Sequence, residues 1–303
     1  MAAEAPLLEC VPNVSEGRDT SVIRRLADAV ERGGASLIDV HSDVDHHRSV
    51  FTIIGNGDDV ERSVLALART AVELVDLTKH RGAHPRIGAI DVIPFVPLRG
   101  ASMRDAVAAA HRLGLVFASE ADVPVFFYGE AAPRRDRCEL PVVRKGGFER
   151  LAERLCAPGW RPDAGPAVPH PTAGATVVGA RAPLVAFNAV LDNGDVEAAN
   201  AISRAIRESS GGLPAVRAMG VLLASRGLAQ VSMNLLDYRR TSPRAVSERI
   251  ETEARRLGRA VREYELVGCA PAEAFAGWPD ALAPVAGLKP SQLLDTALFA
   301  PPA

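Results

Sequence analysis

A chain of 303 residues, 48% hydrophobic and 24% charged, is long enough for two domains and shows neither a disorder signature nor an apolar run of the roughly 18 residues that span a bilayer. Its formal charge of -2 and 5% aromatic content leave nucleic acid little to be attracted to or stacked on. Four cysteines, at 10, 138, 156 and 269, form no CxxC pair, and the N-terminus lacks the basic segment of a secretory signal, so a cytoplasmic protein without a zinc knuckle or disulfide framework is expected.

Residues 7–12, LLECVP, predict a first strand, followed by an amphipathic helix over about 21–31 that Asp19 or Thr20 can cap. Val22, Ile23, Leu26, Ala27 and Val30 fall on its inner face. Asn13, Ser15 and Gly17 lie at the strand-to-helix junction, which suits either a bound anion or an ordinary cap.

The segments ASLIDVHS and SVFTIIG predict two strands around the polar insert DVDHHR. Asp45, His46 and His47, with His41 and Asp43 nearby, raise the alternative of a metal-dependent phosphoesterase. Consecutive side chains of an extended segment point in opposite directions, so the plainer reading is a hairpin turn whose histidines and Arg48 face solvent or a pocket rim. No metal ligands are assigned, and Arg48 is expected to contact a charged substrate.

A helix over 58–75 leads into TKHRGAHPRIGAIDVIPFVPLRG, residues 78–100, where the chemistry is expected. Pro85 disfavours the α region for His84, and glycines at 82 and 88 let a ligand approach the backbone. Lys79, His80, Arg81 and Arg86 crowd the same loop, which suits an anionic substrate that needs a proton moved. The apolar run from Ile87 predicts a strand buried on both faces, in which Asp91 must find a cationic or hydroxyl partner.

MRDAVAAAHRLG predicts a third helix, with His111 on its surface or partly buried, and PVFFYGEAA a strand. Residues 134–161 are charged and irregular, with a short helical piece over 148–155. PDAGPAVPHPTAGATVVGAR is then a stiff loop ending in a small-residue strand, either a domain connection or, because it holds His170 and Thr172 beside glycines, a ligand-covering loop. Beyond it the order βαββαβ restarts and short helices close the chain. The expected fold class is α/β (α+β), two βαββαβ-type subdomains each with a sheet covered by helices, over residues 1–179 and 180–303; a structural pseudo-repeat between them is a conjecture from element order alone.

Taken together, ECVPNVSEGRD (9–19), DVHSDVDHHRSVFT (39–52), GAHPRIGAIDVIPFVP (82–97), VFFYGEAA (125–132), GPAVPHPTAGATVVGAR (165–181) and LAQVSMNLLDY (228–238) resemble the glutamate formimidoyltransferases and the N-terminal part of the bifunctional formimidoyltransferase-cyclodeaminases. The resemblance covers nearly the whole chain. It implies a ligand tunnel between two subdomains, a homodimer, and transfer of a formimino group from N-formimino-L-glutamate to N5 of tetrahydrofolate, the co-substrate, without a metal. Its acid/base histidine falls on His84. Its folate loop falls on Gly165, Pro166, Ala167, Val168, Pro169, His170, Pro171, Thr172, Ala173 and Gly174. Asn13, Ser15, His47, Arg48, Arg86 and Asp91 are the expected substrate contacts. Ala83 stands where the family often has Glu, and His47 where it often has Asn. A folate-binding protein without transfer activity and a transferase using a formyl donor remain alternatives beside the hydrolase. Residues 270–303 are too short for a cyclodeaminase bundle, so formiminotetrahydrofolate is the expected product.

Overall fold

A computed structural model describes residues 5–299, and these divide into two compact units, the first running to Arg181 and the second spanning Ala182–Phe299. The division falls just past the expected 179/180 boundary, with Ala180 and Arg181 belonging to the first unit.

In the first unit, β1 (Leu7–Cys10) and β2 (Asn13–Val14) are two stretches of one strand, each paired antiparallel with β4 (Arg48–Asn56) and β5 (Ile90–Pro97). Between β2 and β4 run α1 (Thr20–Glu31) and β3 (Ser36–Asp43), and α2 (Gly57–Leu74) links β4 towards β5. Then come α3 (Met103–Ala121), β6 (Val125–Gly129), the short α4 (Leu140–Val143) and α5 (Leu151–Cys156), and β7 (Thr176–Ala180). The strands lie in the order β3, β4, β1 with β2, β5, β7, β6; pairing is antiparallel as far as β5 and parallel beyond it.

Local chemistry explains the elements. Asp19 accepts from the N–H groups of Ser21 and Val22 and starts α1, Asn56 accepts from Asp59 N at α2, and Ser102 with Asp105 forms a capping box at α3. On one face of the sheet, Leu26, Val64, Leu67 and Phe117 from α1, α2 and α3 bury against Phe51, Ile53, Ile93 and Phe95. On the other, Leu151 and Leu155 of α5 and Val143 of α4 pack with Val92, Phe126, Tyr128 and Val177. Helix α3 runs past Gly114, where the expected helix ended, because that glycine is a packing site: a Cβ there would lie 2.6 Å from the Phe127 ring.

The second unit is built from β8 (Val185–Leu191), α6 (Val196–Ile206), β9 (Val216–Leu223), β10 (Leu228–Leu235), α7 (Pro243–Arg256) and β11 (Val261–Val267), all close to the sequence expectation. Its antiparallel sheet has the order β11, β8, β10, β9, the split βαβ arrangement, with Phe187 stacked on Tyr264 at 5.3 Å in its core. The first unit repeats it: β5, β1 with β2, β4 and β3 have the same succession, and α3, β6 and β7 are additions beyond β5. The conjectured pseudo-repeat therefore extends to strand order. A two-residue parallel pair, β12 (Ala270–Pro271) with β13 (Leu293–Leu294), ties the final turns together. Among the described residues no helix is long and apolar enough to cross a membrane.

Candidate active site

Two loops of the first unit meet where the sequence concentrates its histidines. In the turn between β3 and β4, the Asp43 carboxylate accepts from Asp45 N at 2.8 Å and His46 N at 2.6 Å, and His47 adopts a left-handed φ of 50°. The loop after α2 lies directly on this turn. Ala83 N donates to Asp45 O at 3.0 Å, and Gly82 is required there because a Cβ would sit 2.4 Å from His46 O. The rings of His47 and His80 stack at 4.1 Å, while His47 reaches Arg81 O through Nδ1 and Glu16 Oε1 through Nε2.

His84 lies half-buried at the centre of this junction. Its Nδ1 is 2.7 Å from Arg48 Nη1 and 2.8 Å from Pro85 O, whereas its Nε2 has no hydrogen-bond partner among the described residues. Behind the ring, Arg48 donates through Nε to Asn13 Oδ1 at 2.9 Å and through Nη2 to Asp91 Oδ2 at 2.5 Å. Asp91 is fully buried on β5, accepts from Ile87 N at 2.8 Å and forms a second ion pair with Arg144 Nη2 at 2.5 Å. Burial alone would raise the Asp91 carboxyl, but Arg144, Arg48 and the Ile87 N–H together hold it below the usual carboxylate range. Burial lowers Arg48 to about 10, against the pull of Asp91, so it stays a cation at neutral pH.

The expectation that Arg48 faces solvent or a pocket rim is corrected: it is 6% exposed, because Asp91 gives a buried strand somewhere to hold a guanidinium. Arg86 is similarly buried and engaged, donating through Nε to His80 Nδ1 and through both terminal nitrogens to Glu149. At the strand-to-helix junction, Asn13 bridges Val11 O and Arg48, and Ser15 donates to Gly88 O at 2.7 Å. The Glu16 carboxylate, rather than a bound anion, takes the N–H groups of Arg18 and Asp19. His111 is half-buried on α3 with Nε2 near Ala131 O at 2.9 Å.

The proline-rich loop is stitched to the strand that follows His84. Ala89 N donates to Ala173 O, Ala175 N to Ile87 O and Leu77 N to Thr172 O, and Gly88 bridges Gly174. Gly174 combines a φ of 70° with a place where a Cβ would stand 2.1 Å from Ile87 O, so only glycine lets the loop approach this closely. The loop leads straight into β7 inside the sheet and is therefore no domain connection. His170 holds it in shape, Nδ1 accepting from Ala173 N at 3.0 Å. Pro169, His170 and Pro171 line a cleft of about 550 Å³ with Leu77, Thr78, Arg81, Phe148, Glu149 and Ala152. Val168 is 65% exposed, Ala173 and Gly174 are buried, and Gly165 packs beside Val123 O.

Sequence reasoning missed Arg144 and Glu149, whose stretch offered only charge, and Arg137. Arg137 is 1% exposed and donates to Asp163 and to the carbonyls of Gly159 and Arg161, with the Phe126 and Trp160 rings against its guanidinium. Among the described residues no three His, Cys, Asp or Glu side chains converge to hold a metal ion.

Burial pushes His80 down to about 4, and burial with the Arg48 and Arg144 charges pushes His84 well below the usual histidine value. A histidine depressed in the folded state contributes stability above its unfolded value of about 6.5 and loses it as pH falls through the folded value. Denaturant midpoints are therefore expected to fall between about pH 6.5 and pH 4, and a flat profile across that window would contradict the burial of these rings.

The formiminotransferase domain models match this chain in two parts, the N-terminal subdomain over residues 7–181 and the following part of the domain over 186–279. The chain is 43% identical over 272 residues to a protein of Streptococcus pyogenes serotype M1 named glutamate formimidoyltransferase, covering 89% of this chain and 91% of that one. It is 40% identical to a protein of the same name from Thermoplasma acidophilum, covering 89% of each. The formimidoyltransferase-cyclodeaminase of Rattus norvegicus is 42% identical over 276 residues, which span 89% of this chain and 51% of that protein.

Proposed function

The chain belongs to the formiminotransferase family, and we propose on that premise that it moves a formimino group from N-formimino-L-glutamate to N5 of tetrahydrofolate, with His84 as the acid/base group. The observation that carries the site assignment is the His84 ring, anchored through Nδ1 and, among the described residues, without a hydrogen-bond partner at Nε2.

The reaction needs little else from the protein. N5 attacks the amidine carbon, a C–N bond forms, and the N5 proton passes to Nε2. The tetrahedral intermediate then breaks its bond to the glutamate nitrogen, which receives that proton from Nε2 as it leaves. Products are 5-formiminotetrahydrofolate and glutamate, with the histidine returned to its neutral form. The loop over 165–174 is the folate-contacting element of this reading, supported by the three residues it contributes to the cleft. Exposed Arg81, on the wall of that cleft, is the candidate carboxylate contact, since the Arg48 and Arg86 guanidiniums are bound internally. A homodimer, as the family resemblance implies, and a cytoplasmic location complete the proposal.

The test is turnover of purified protein with tetrahydrofolate and either formiminoglutamate or formylglutamate, following 5-formimino- or 5-formyltetrahydrofolate, respectively, and free glutamate. Stoichiometric formation of both from the formimino donor is expected. Turnover of the formyl donor alone would replace the substrate assignment, and folate binding without turnover of either would make this a folate-binding protein.

A further inference from the structure

We propose that Arg48 is a positioning residue for His84: its guanidinium, fixed by Asp91 and Asn13, decides which ring nitrogen carries the proton and keeps the imidazole a neutral base between turnovers. The inference rests on the acid/base role given to His84 above.

A guanidinium can donate hydrogen bonds but cannot accept them. The 2.7 Å contact between Arg48 Nη1 and His84 Nδ1 is therefore a bond only while Nδ1 offers a lone pair. Pro85 O, 2.8 Å from the same nitrogen, makes the opposite demand and is satisfied only by an Nδ1–H. The two claims on one atom exclude each other. When Nδ1 faces Arg48, the proton sits on Nε2; when Nδ1–H turns to Pro85 O, Nε2 becomes the bare base that receives the N5 proton. The doubly protonated ring that results must set an Nδ1–H against a fixed cation, so it readily passes its proton to the departing glutamate nitrogen.

The surroundings leave Arg48 in control of this balance. Burial and the charges of Arg48, Arg144 and His46 disfavour the imidazolium, and the Pro85 carbonyl opposes them. The His46 ring lies 5.8 Å from that of His84. The carboxylate of Asp91 is ion-paired with both guanidiniums. Arg48 is held on three sides, by Asp91, Asn13 and the Pro85 carbonyl at 3.3 Å, and so cannot swing away as the ring gains charge. Removing it still leaves Asp91 with Arg144 and the Ile87 N–H, which makes an Arg48→Gln variant a reasonable candidate to fold.

The experiment is ¹⁵N-histidine NMR titration of the full chain, with His84 assigned by its loss in His84→Gln, for wild type, Arg48→Gln and Arg48→Lys. It is paired with the pH dependence of kcat/KM. In Arg48→Gln the His84 midpoint and the acid limb of the rate profile are expected to rise together by about one to two pH units. Arg48→Lys should restore most of the wild-type position. An unchanged midpoint and tautomer in Arg48→Gln would overturn the proposal, as would an increase in KM for formiminoglutamate with the midpoint unmoved, which would make Arg48 a substrate contact. Because the titration does not need turnover, it decides the question even if wild-type protein transfers no formimino group.

Discussion

His84→Gln is expected to keep the fold and folate binding while lowering kcat for formimino transfer by about 10² to 10⁴, the usual contribution of a general acid/base. Glutamine has about the right length, and its side-chain oxygen can accept from the Arg48 Nη1 that now meets Nδ1. Positioning should therefore survive. What is lost is a group that can take a proton from N5 and return it to the glutamate nitrogen within one turnover. The comparison is kcat against wild type at neutral pH, with circular dichroism and folate affinity as controls. A variant within a few fold of wild type would remove His84 from the mechanism.

The largest expected effect on stability comes from Asp91→Asn. The carboxylate is fully buried between Arg48 and Arg144, and neutralising it leaves two guanidiniums facing each other without compensation. Breaking a buried pair in this way costs roughly 3–5 kcal/mol. The sign with pH follows from the depressed carboxyl: its contribution is present above the unfolded value of about 3.9 and disappears as pH falls through the lower folded value. The asparagine variant should accordingly lose most stability relative to wild type near neutral pH and converge on it in strong acid. Urea unfolding at several pH values provides the measurement, and a cost below about 1 kcal/mol at pH 7 would show that Asp91 does not anchor the two arginines.

Order and type of the long elements were legible in the sequence because each segment announces itself locally. Helix α1 shows a cap and an apolar stripe, β5 an unbroken buried run, and the second unit its complete βαββαβ succession. The placement of His84 in a glycine-flanked loop ahead of β5 was legible for the same reason, through its own neighbours. The wiring behind it was not. Arg48 and Arg86 read as substrate contacts because sequence displays charge without displaying what neutralises it: Asp91 lies 43 residues from Arg48, and Glu149 lies 63 from Arg86. Arg144 was hidden in a stretch whose only local signal was polarity, yet it supplies the second cation on Asp91. Likewise His47 looked like a departure at a substrate contact, whereas its left-handed backbone, a conformation Asn tolerates well, and its stacking on His80 give it a local structural role.

The placement of β7 has a consequence for how the protein is made. Strands β5 and β6 are its two neighbours, and both precede it in the chain, so a growing polypeptide that has been synthesised only as far as the proline-rich loop holds two strands with a slot between them. The open flank of β5 belongs to an almost wholly buried run, IDVIPFVP, which is the kind of surface that recruits other nascent chains. Inserting Thr176–Ala180 closes that slot and, in the same movement, draws Gly174 onto Gly88 beside the His84 loop. Assembly of the site is thus tied to the final strand of its sheet. Translation stalled before that strand should yield a chain dependent on chaperones, and the first unit should complete its sheet only after residue 180 has left the ribosome.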